Sequence, residues 1–450
     1  MKTLWQKNNS DDADRSFFHE FTTSEDRTWD HHLIPYDILV NLAQSRMLRR
    51  INIYTDSELI EVTRYLQKLY NDWKEDNFTL SDEDEDVHSA TEKNLTERVG
   101  EPGQRINTGR SRNDQVLADI HLALKAELRK LTGLILDTIS RLDQIAQKHR
   151  GIFFAGMTHT QPAMPTSVDA WAAGYIRMML NDLQSIQHAY RQIDVCPLGS
   201  AAGYGVPHIA IDREFLSDQL GFSQLLVEVN ATQNIRTSSV LRVIHALEYY
   251  TLTCNRMSSD IIEFLRSGLI ELDENQTSGS SIMPQKQNPD LWELIRSGYH
   301  QVSGAGRELS GISVNLTSGY HRDLQPVKAV ILNSIKQTQT LAEATEFGLN
   351  GLSFNEEASY SSITSEVMAT HHANKLVSEG KPFREAYRET SYKFHNITLP
   401  DIKVLQESYH HTGAPGKYPQ DVIREETEMI QSWLSDEEKK WDEVVDKLMN

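Results

Sequence analysis

The spacing of apolar residues between positions 114 and 150 limits what this chain can fold into more than any other feature. Leu117, Ile120, Leu124, Leu128, Leu131, Ile135, Ile139, Leu142 and Ala146 follow one another at steps of three and four, the period of one helix face. About 35 residues at roughly 1.5 Å each make a rod about 50 Å long. Ser111, three residues before Asp114, supplies a capping-box start. Similar runs cover 168–193, 238–266, 289–309 and 324–347. Five long helices with little strand pattern between them predict an all-α extended bundle. The run at 238–266 stays apolar on more than one side, at Val240, Leu241, Val243, Ile244, Leu247 and Tyr250. A lone bundle does not need that, so this surplus face is predicted to pack against other subunits.

The flanks read differently, which predicts three domains: 1–108, 109–355 and 356–450. The first mixes short amphipathic helices with the acidic run Asp82-Glu83-Asp84-Glu85-Asp86, read as solvated surface or helix N-terminal charge. The last reads as charged short helices broken by Pro382, Pro400 and the loop at 413–416. A net charge of −19 argues against neutralising nucleic-acid phosphates or lying on an anionic membrane. Hydrophobic residues at 39% argue against a disordered acidic chain. Cys196 and Cys254 stand far apart and build neither a disulfide framework nor a Cys-based zinc site. With no apolar run of membrane-spanning length and no signal-like N-terminus, a soluble cytoplasmic protein is expected.

Chemistry is concentrated in irregular polar segments at helix ends. Thr108-Gly109-Arg110-Ser111-Arg112-Asn113-Asp114-Gln115 places two arginines, hydroxyls and an amide beside a helix N-terminus, a surface suited to anions. Taken alone it is equally an elaborate cap. Gly156-Met157-Thr158-His159-Thr160-Gln161-Pro162 holds an imidazole between threonines, although a single loop histidine is more often structural. In Gly279-Ser280-Ser281-Ile282-Met283-Pro284-Gln285-Lys286-Gln287-Asn288-Pro289, a flexible hydroxyl-bearing start meets a stiff turn carrying one lysine. That combination reads as a lid closing on an anion.

The first and third of these segments together resemble the argininosuccinate lyase family of the fumarase/aspartase superfamily. Glu85-Asp86-Val87-His88-Ser89, Pro197-Leu198-Gly199-Ser200 and Tyr320-His321-Arg322-Asp323-Leu324-Gln325-Pro326-Val327-Lys328 agree with it, and the likeness runs from about Phe21 to the C-terminal region. It implies an all-helical three-domain subunit, a twenty-helix core in a homotetramer, and active sites built from three chains. The implied reaction splits argininosuccinate into arginine and fumarate by anti β-elimination, in arginine biosynthesis. A proton leaves the carbon beside a carboxylate, so fixed donors facing the developing negative charge supply the largest effect. Lys286, Asn288 and backbone N–H groups of the 279–288 loop are the candidates.

By the same resemblance Ser280 is the base; sequence alone does not separate it from Ser281. His159 matches the family's catalytic histidine and Glu293 the carboxylate paired with it. Ser111, Arg112, Asn113, Thr158, Tyr320, Gln325 and Lys328 match substrate anchors, and His88 a histidine near the site. Phe21-Thr22-Thr23-Ser24 is similar to the segment of a substrate-contacting serine, but two extra residues before Asp30 leave Ser24 and Asp26 as alternative occupants. The sequence departs from the family at Met157 (usually Tyr), at Gln287 (commonly Lys) and at 230–236, which lacks the usual acidic run. No metal-ligand spacing and no glycine-rich loop after a strand occurs, so neither metal nor cofactor is expected. Two rival readings remain: a sister lyase acting on another N-substituted aspartate, and a non-catalytic structural protein on the same fold.

Overall fold

A computed structural model describes residues 12–81 and 84–450; the side chains of residues 12–16, His19 and Ser24 lie outside the described set, as do Asp82 and Glu83 of the acidic run. The N-terminal part is α1 (Asp12–Asp30), α2 (Ile34–Arg50), α3 (Asp56–Lys74), α4 (Val87–Val99) and the single turn α5 (Glu101–Gln104). The middle holds α6 (Arg112–Lys148), α7 (Val168–Ile193), the short α8 (Arg213–Gln219) and α9 (Ala231–Asn234), then α10 (Arg236–Arg266), α11 (Asp290–Ile312) and α12 (Val327–Asn350). The C-terminal part is α13 (Glu356–Ser361), α14 (Ala369–Ser378), α15 (Phe383–Lys393), α16 (Ile402–Glu407) and α17 (Gln420–Met449).

The five long helices fall where the apolar period places them, and α6 begins with the expected cap. The Asn113 N–H donates to Ser111 Oγ (3.2 Å) and the Ser111 N–H to Asp114 Oδ1 (3.0 Å). Gly109 just before it has φ +73, and a Cβ there would meet Ile211 at 2.5 Å, so this turn requires glycine. Two features differ from the sequence expectation. Gln420–Met449 form one helix of 30 residues, α17, not short pieces. Its apolar stripe is thin, with Ile423, Ile430, Val444 and Leu448 buried, so its period is faint amid charge. Between α6 and α7 lies a hairpin of β1 (Phe153–Thr158) and β2 (Gln161–Ser167).

Three further contacts fix helix directions. The hairpin reverses the chain, so α7 runs antiparallel to α6. Arg236 Nη1 donates to the Asn113 carbonyl (3.3 Å), which sets the start of α10 beside the start of α6. The antiparallel pair β5 (Ile270–Leu272) and β6 (Leu352–Phe354) joins the ends of α10 and α12 at the opposite pole. Phe154, Trp171, Phe264 and Phe354 pack edge to face there. A third strand pair, β3 (Val195–Cys196) with β4 (Gln224–Leu225), is parallel and only two residues long.

Most of the predicted surplus face on α10 turns inward. Val240, Val243, Ile244, Leu247 and Tyr250 are buried within the chain, because the neighbouring α7, α11 and α12 surround that helix. The apolar side chains left exposed along the long helices are others: Tyr249, Leu252, Leu294 and Phe347. Among the described residues, no helix is long and apolar enough to cross a membrane.

Candidate active site

The predicted site residues gather at the two poles of the bundle. At the pole where α6 begins, the anchors cluster. Arg112 Nη1 donates to Asp86 Oδ2 (2.8 Å) and lies 3.5 Å from Glu85. Asp86 is also the N-cap of α4, accepting from the Ser89 N–H (2.7 Å), so the end of the acidic run serves as helix N-terminal charge. Gln325 Nε2 donates to the Thr22 carbonyl (2.7 Å) and to Asp26, while its Oε1 accepts from Arg322 Nε (2.7 Å). Lys328 is buried between Asp26 (2.6 Å) and Asp30. Burial opposes its charge, but the two carboxylates outweigh that and hold its pKa above the usual lysine range. Of the two alternatives on α1, Asp26 is the one that reaches Gln325 and Lys328; the side chain of Ser24 lies outside the described residues.

His88 sits under this cluster. Its Nδ1 is 2.9 Å from Asp37 Oδ1 and 3.5 Å from Asp119 Oδ2, all three side chains being buried. Asp37 also accepts from Gln115 Nε2 (2.6 Å) and Asn41 Nδ2 (3.1 Å). Burial works against an imidazolium, yet Asp37 first, then Asp86 and Asp119, push the His88 pKa up to about 9. Burial and the charge of Asp37 push the Asp119 carboxyl well above the ordinary range. Sequence spacing gave no hint of this trio, because it comes from α2, α4 and α6. Its ligand-type atoms lie within 4.8 Å of one another, a geometry that in principle suits a metal ion. Here the imidazolium and the buried guanidinium of Arg110, which feels Asp37 and Asp119, already supply positive charge. Nearby, the Val87 N–H donates to Asp30 Oδ2 (3.0 Å), so the start of α4 links the Asp30–Lys328 pair to the Asp86–Arg112 pair.

The opposite pole carries the groups expected to do chemistry. Thr158 and Gln161 pair across the tip of the β1–β2 hairpin, with His159 at φ +51 and Thr160 at φ +61. Positive φ at both central positions is the type I′ turn, which fits the twist of a hairpin and strains non-glycine residues. The tip, including Met157, is exposed. The 277–289 loop is pinched shut at its neck: the Ser278 N–H donates to the Asn288 carbonyl (3.1 Å) and the Asn288 N–H to the Ser278 carbonyl (2.8 Å). Inside it Ser280 Oγ accepts from the N–H groups of Ile282 (3.3 Å) and Met283 (3.1 Å). Donors directed at a hydroxyl oxygen favour its deprotonated form. Lys286, Gln287 and Glu293 are exposed. Within the chain no hydrogen bond or ion pair joins His159 to Glu293 among the described residues.

Along α6 the two poles are 37 residues apart, roughly 55 Å at 1.5 Å per residue. Ser111, Arg112, Asn113, Tyr320, Gln325, Lys328 and His88 therefore lie far from Thr158, His159, Ser280, Lys286, Asn288 and Glu293 of the same chain. One residue at the anchor pole escaped sequence reasoning: Arg236, whose guanidinium stacks 5.2 Å from the Tyr320 ring centroid. The missing acidic run around it was the available signal.

Comparison with known proteins identifies the fold and the family. Residues 10–304 match a family model described as lyase. Among solved structures the fold is similar to EDDS lyase in complex with formate (TM-score 0.77, 19% identity, 93% of this chain and 92% of that one). It is also similar to a class II fumarase from Schistosoma mansoni (TM-score 0.68, 17% identity, 82% and 90%). Fold and match define a lyase of the all-α fumarase/aspartase superfamily. The argininosuccinate lyase of Thermotoga neapolitana is 38% identical over 395 residues, 87% of this chain and 98% of that protein. That of Sorangium cellulosum is 34% identical over 422 residues, 93% and 97%. Within the superfamily, the chain belongs to the argininosuccinate lyase family.

Proposed function

We propose that this enzyme cleaves argininosuccinate to arginine and fumarate, serving arginine biosynthesis. The reading rests on the full-length likeness to argininosuccinate lyases, and the chemistry at the two poles supports it. Ser280 Oγ takes the proton from the carbon beside a succinyl carboxylate, its negative charge favoured by the two N–H groups that already face it. The electron pair left on that carbon passes into the carboxylate, whose charge Lys286 and Asn288 meet. The pair returns to form the fumarate double bond as the C–N bond to the guanidino nitrogen breaks. Near that nitrogen, His159 with Glu293 either donates a proton or stabilises charge. Arg112, Asn113, Thr158 and Tyr320 hold the substrate with Ser111 at the helix entry. Gln325, Lys328 and His88, engaged with carboxylates of α1, α2 and α6, shape the pocket from beneath.

The separation of the poles supports a further part of the reading. A substrate smaller than about 55 Å cannot touch both, which supports sites that combine segments of different chains, in the homotetramer that the family resemblance implies. The three segments 1–108, 109–355 and 356–450 are proposed as its domains, with the middle one forming the shared core. The test is release of fumarate, followed by ultraviolet absorbance, from argininosuccinate and from other N-substituted aspartates. Release from argininosuccinate at the highest kcat/KM is expected. Release only from another aminosuccinate establishes a sister lyase, and release from none leaves a structural protein.

A further inference from the structure

Two helices at opposite poles of the subunit carry aromatic faces that their own chain leaves exposed. At the anchor pole, the second half of α1 is held through the Thr22 carbonyl and Asp26 by Gln325 and Lys328. Before Thr22 no described side chain of α1 is buried. Phe17 and Phe21 are 74% and 78% exposed, and their rings stack one turn apart with centroids at 6.0 Å. At the other pole, the helical pair α14–α15 follows Val367 and Met368, which pack with Phe153 and Ala155 of β1. Only Ala373, Ala386 and Thr390 of that pair are buried. Phe383 and Tyr387 of α15 are 59% and 64% exposed, again one turn apart, with ring centroids at 6.3 Å. Single apolar residues on a surface need no explanation, but paired rings on one helix face mark a contact surface.

Charge selects the occupant. Phe383 and Tyr387 are each followed by an exposed arginine, Arg384 and Arg388, and neither forms an ion pair among the described residues. Glu389 beside them is taken by Lys381 and Lys393. Segment 375–393 holds five lysines and arginines against three glutamates, in a chain of net charge −19. Residues 12–21 of α1 hold three carboxylates against one arginine. An acidic aromatic helix and a basic aromatic helix are complementary partners. Within one chain they stand at the two ends of a bundle roughly 55 Å long, so they cannot meet. Between chains they can, because a shared site sets opposite poles side by side. Four rings of about 150–250 Å² each bury less than the roughly 1,200–2,000 Å² of a stable interface. The contact therefore adds to an oligomer and does not create one.

We infer that α1 of one copy docks across α15 of a neighbouring copy, with Phe17 and Phe21 on Phe383 and Tyr387 and the acidic residues of α1 towards Arg384 and Arg388. Thr22 and Asp26 lie on the same helix as the docked rings, so this strap ties the anchor pole of one chain to the hairpin pole of the next. The inference rests on the shared-site reading, and its test separates the two. Full-length Phe17→Cys and Tyr387→Cys chains are mixed, reassembled as intact oligomers and treated with a short bis-maleimide. The native Cys196 and Cys254 are buried and stay silent. A band at twice the chain mass, holding one chain of each kind, is expected from the mixture and not from either variant alone. Adding Arg384→Glu and Arg388→Glu to the Tyr387→Cys chain should cut its yield about two- to tenfold, the scale of exposed charge pairs. Glu20→Arg in the other chain should recover part of that loss. Oligomers of correct size that give no such band overturn the inference. So does a band indifferent to the charge reversal, or a Phe17→Cys/Tyr387→Cys double variant that cross-links only within its own chain. Reassembled His159→Asn and Ser280→Ala chains report the shared site separately. Activity there without a cross-link removes this inference alone, and a cross-link without activity keeps the contact and removes the shared site.

Discussion

Replacing Asp37 by Asn tests whether the buried charges beneath the anchor pole are accounted for correctly. Asp37 is fully buried and accepts from His88, Gln115 and Asn41. Despite the burial, its pKa lies below the usual carboxylate value, with His88 as the main compensating charge. His88 in turn is raised to about 9 from an ordinary 6.5. A group whose folded pKa is raised stabilises fully below its unfolded pKa, and the gain is lost as pH rises through the folded one. The difference of about 2.5 units corresponds to roughly 3 kcal/mol, present at pH 6 and gone above about pH 9. With Asn at position 37 most of that stabilisation disappears at pH 6. Unfolding entropy of about 2.1 cal/mol/K per residue over a chain of this length makes roughly 3 kcal/mol worth about 3 °C in Tm. Scanning calorimetry at fixed protein concentration should show the variant melting about 3 °C below wild type at pH 6. The gap should narrow towards pH 9.5, as wild type loses the same contribution. A gap of equal size at both pH values, or none at pH 6, refutes the charge accounting. Asp119→Asn is the comparison: burial and the charge of Asp37 already push its carboxyl well above the ordinary range, so removing that carboxyl should lower the Tm less than removing Asp37 does.

Two more outcomes follow from the opposite pole. Ser280→Ala should lose about 10²- to 10⁴-fold in kcat with KM little changed, whereas Ser281→Ala should stay active, because the loop N–H groups converge on Ser280 Oγ; steady-state kinetics that reverse the two move the base by one residue. His159→Asn and Ser280→Ala chains, each inactive alone, should regain about a quarter of wild-type activity when unfolded and reassembled in equal amounts, since random assembly gives that share of sites both intact groups. A silent mixture of tetrameric size sinks the shared site.

How far the sequence revealed this arrangement depends on whether the determining contacts are local. The start of α6 was legible because Ser111 and Asp114 are three residues apart and cap each other. The helices were legible because one face of each is buried along its whole length. The hairpin was not: its tip bends through His159 and Thr160 rather than glycine, so the usual turn chemistry is absent. The Asp37–His88–Asp119 trio joins three helices far apart in sequence, and no spacing rule reaches across that distance. Lys328 read as a substrate anchor from its segment, yet only the fold places Asp26 and Asp30 against it. Arg236 lay in the 230–236 segment, which stood out only for lacking the usual acidic run. That it forms no ion pair among the described residues is a property of the assembled pole.

The bundle's length also explains why both ends of one chain carry site residues. On the proposed reading of a homotetramer, a two-fold axis across the middle of the long helices would set the anchor pole of one copy beside the opposite pole of its neighbour. That one operation builds two equivalent sites at once. The exposed Tyr249 and Leu252 of α10 lie near the middle of that helix, where such an axis has to pass. On the proposed reading, these apolar side chains are placed to drive association. The hairpin and the 277–289 loop, which bury little within their own chain, then gain order from a neighbour's anchor pole. Catalysis and assembly become coupled: loosening the mid-helix contacts should separate Ser280 from its substrate anchors without touching either pole.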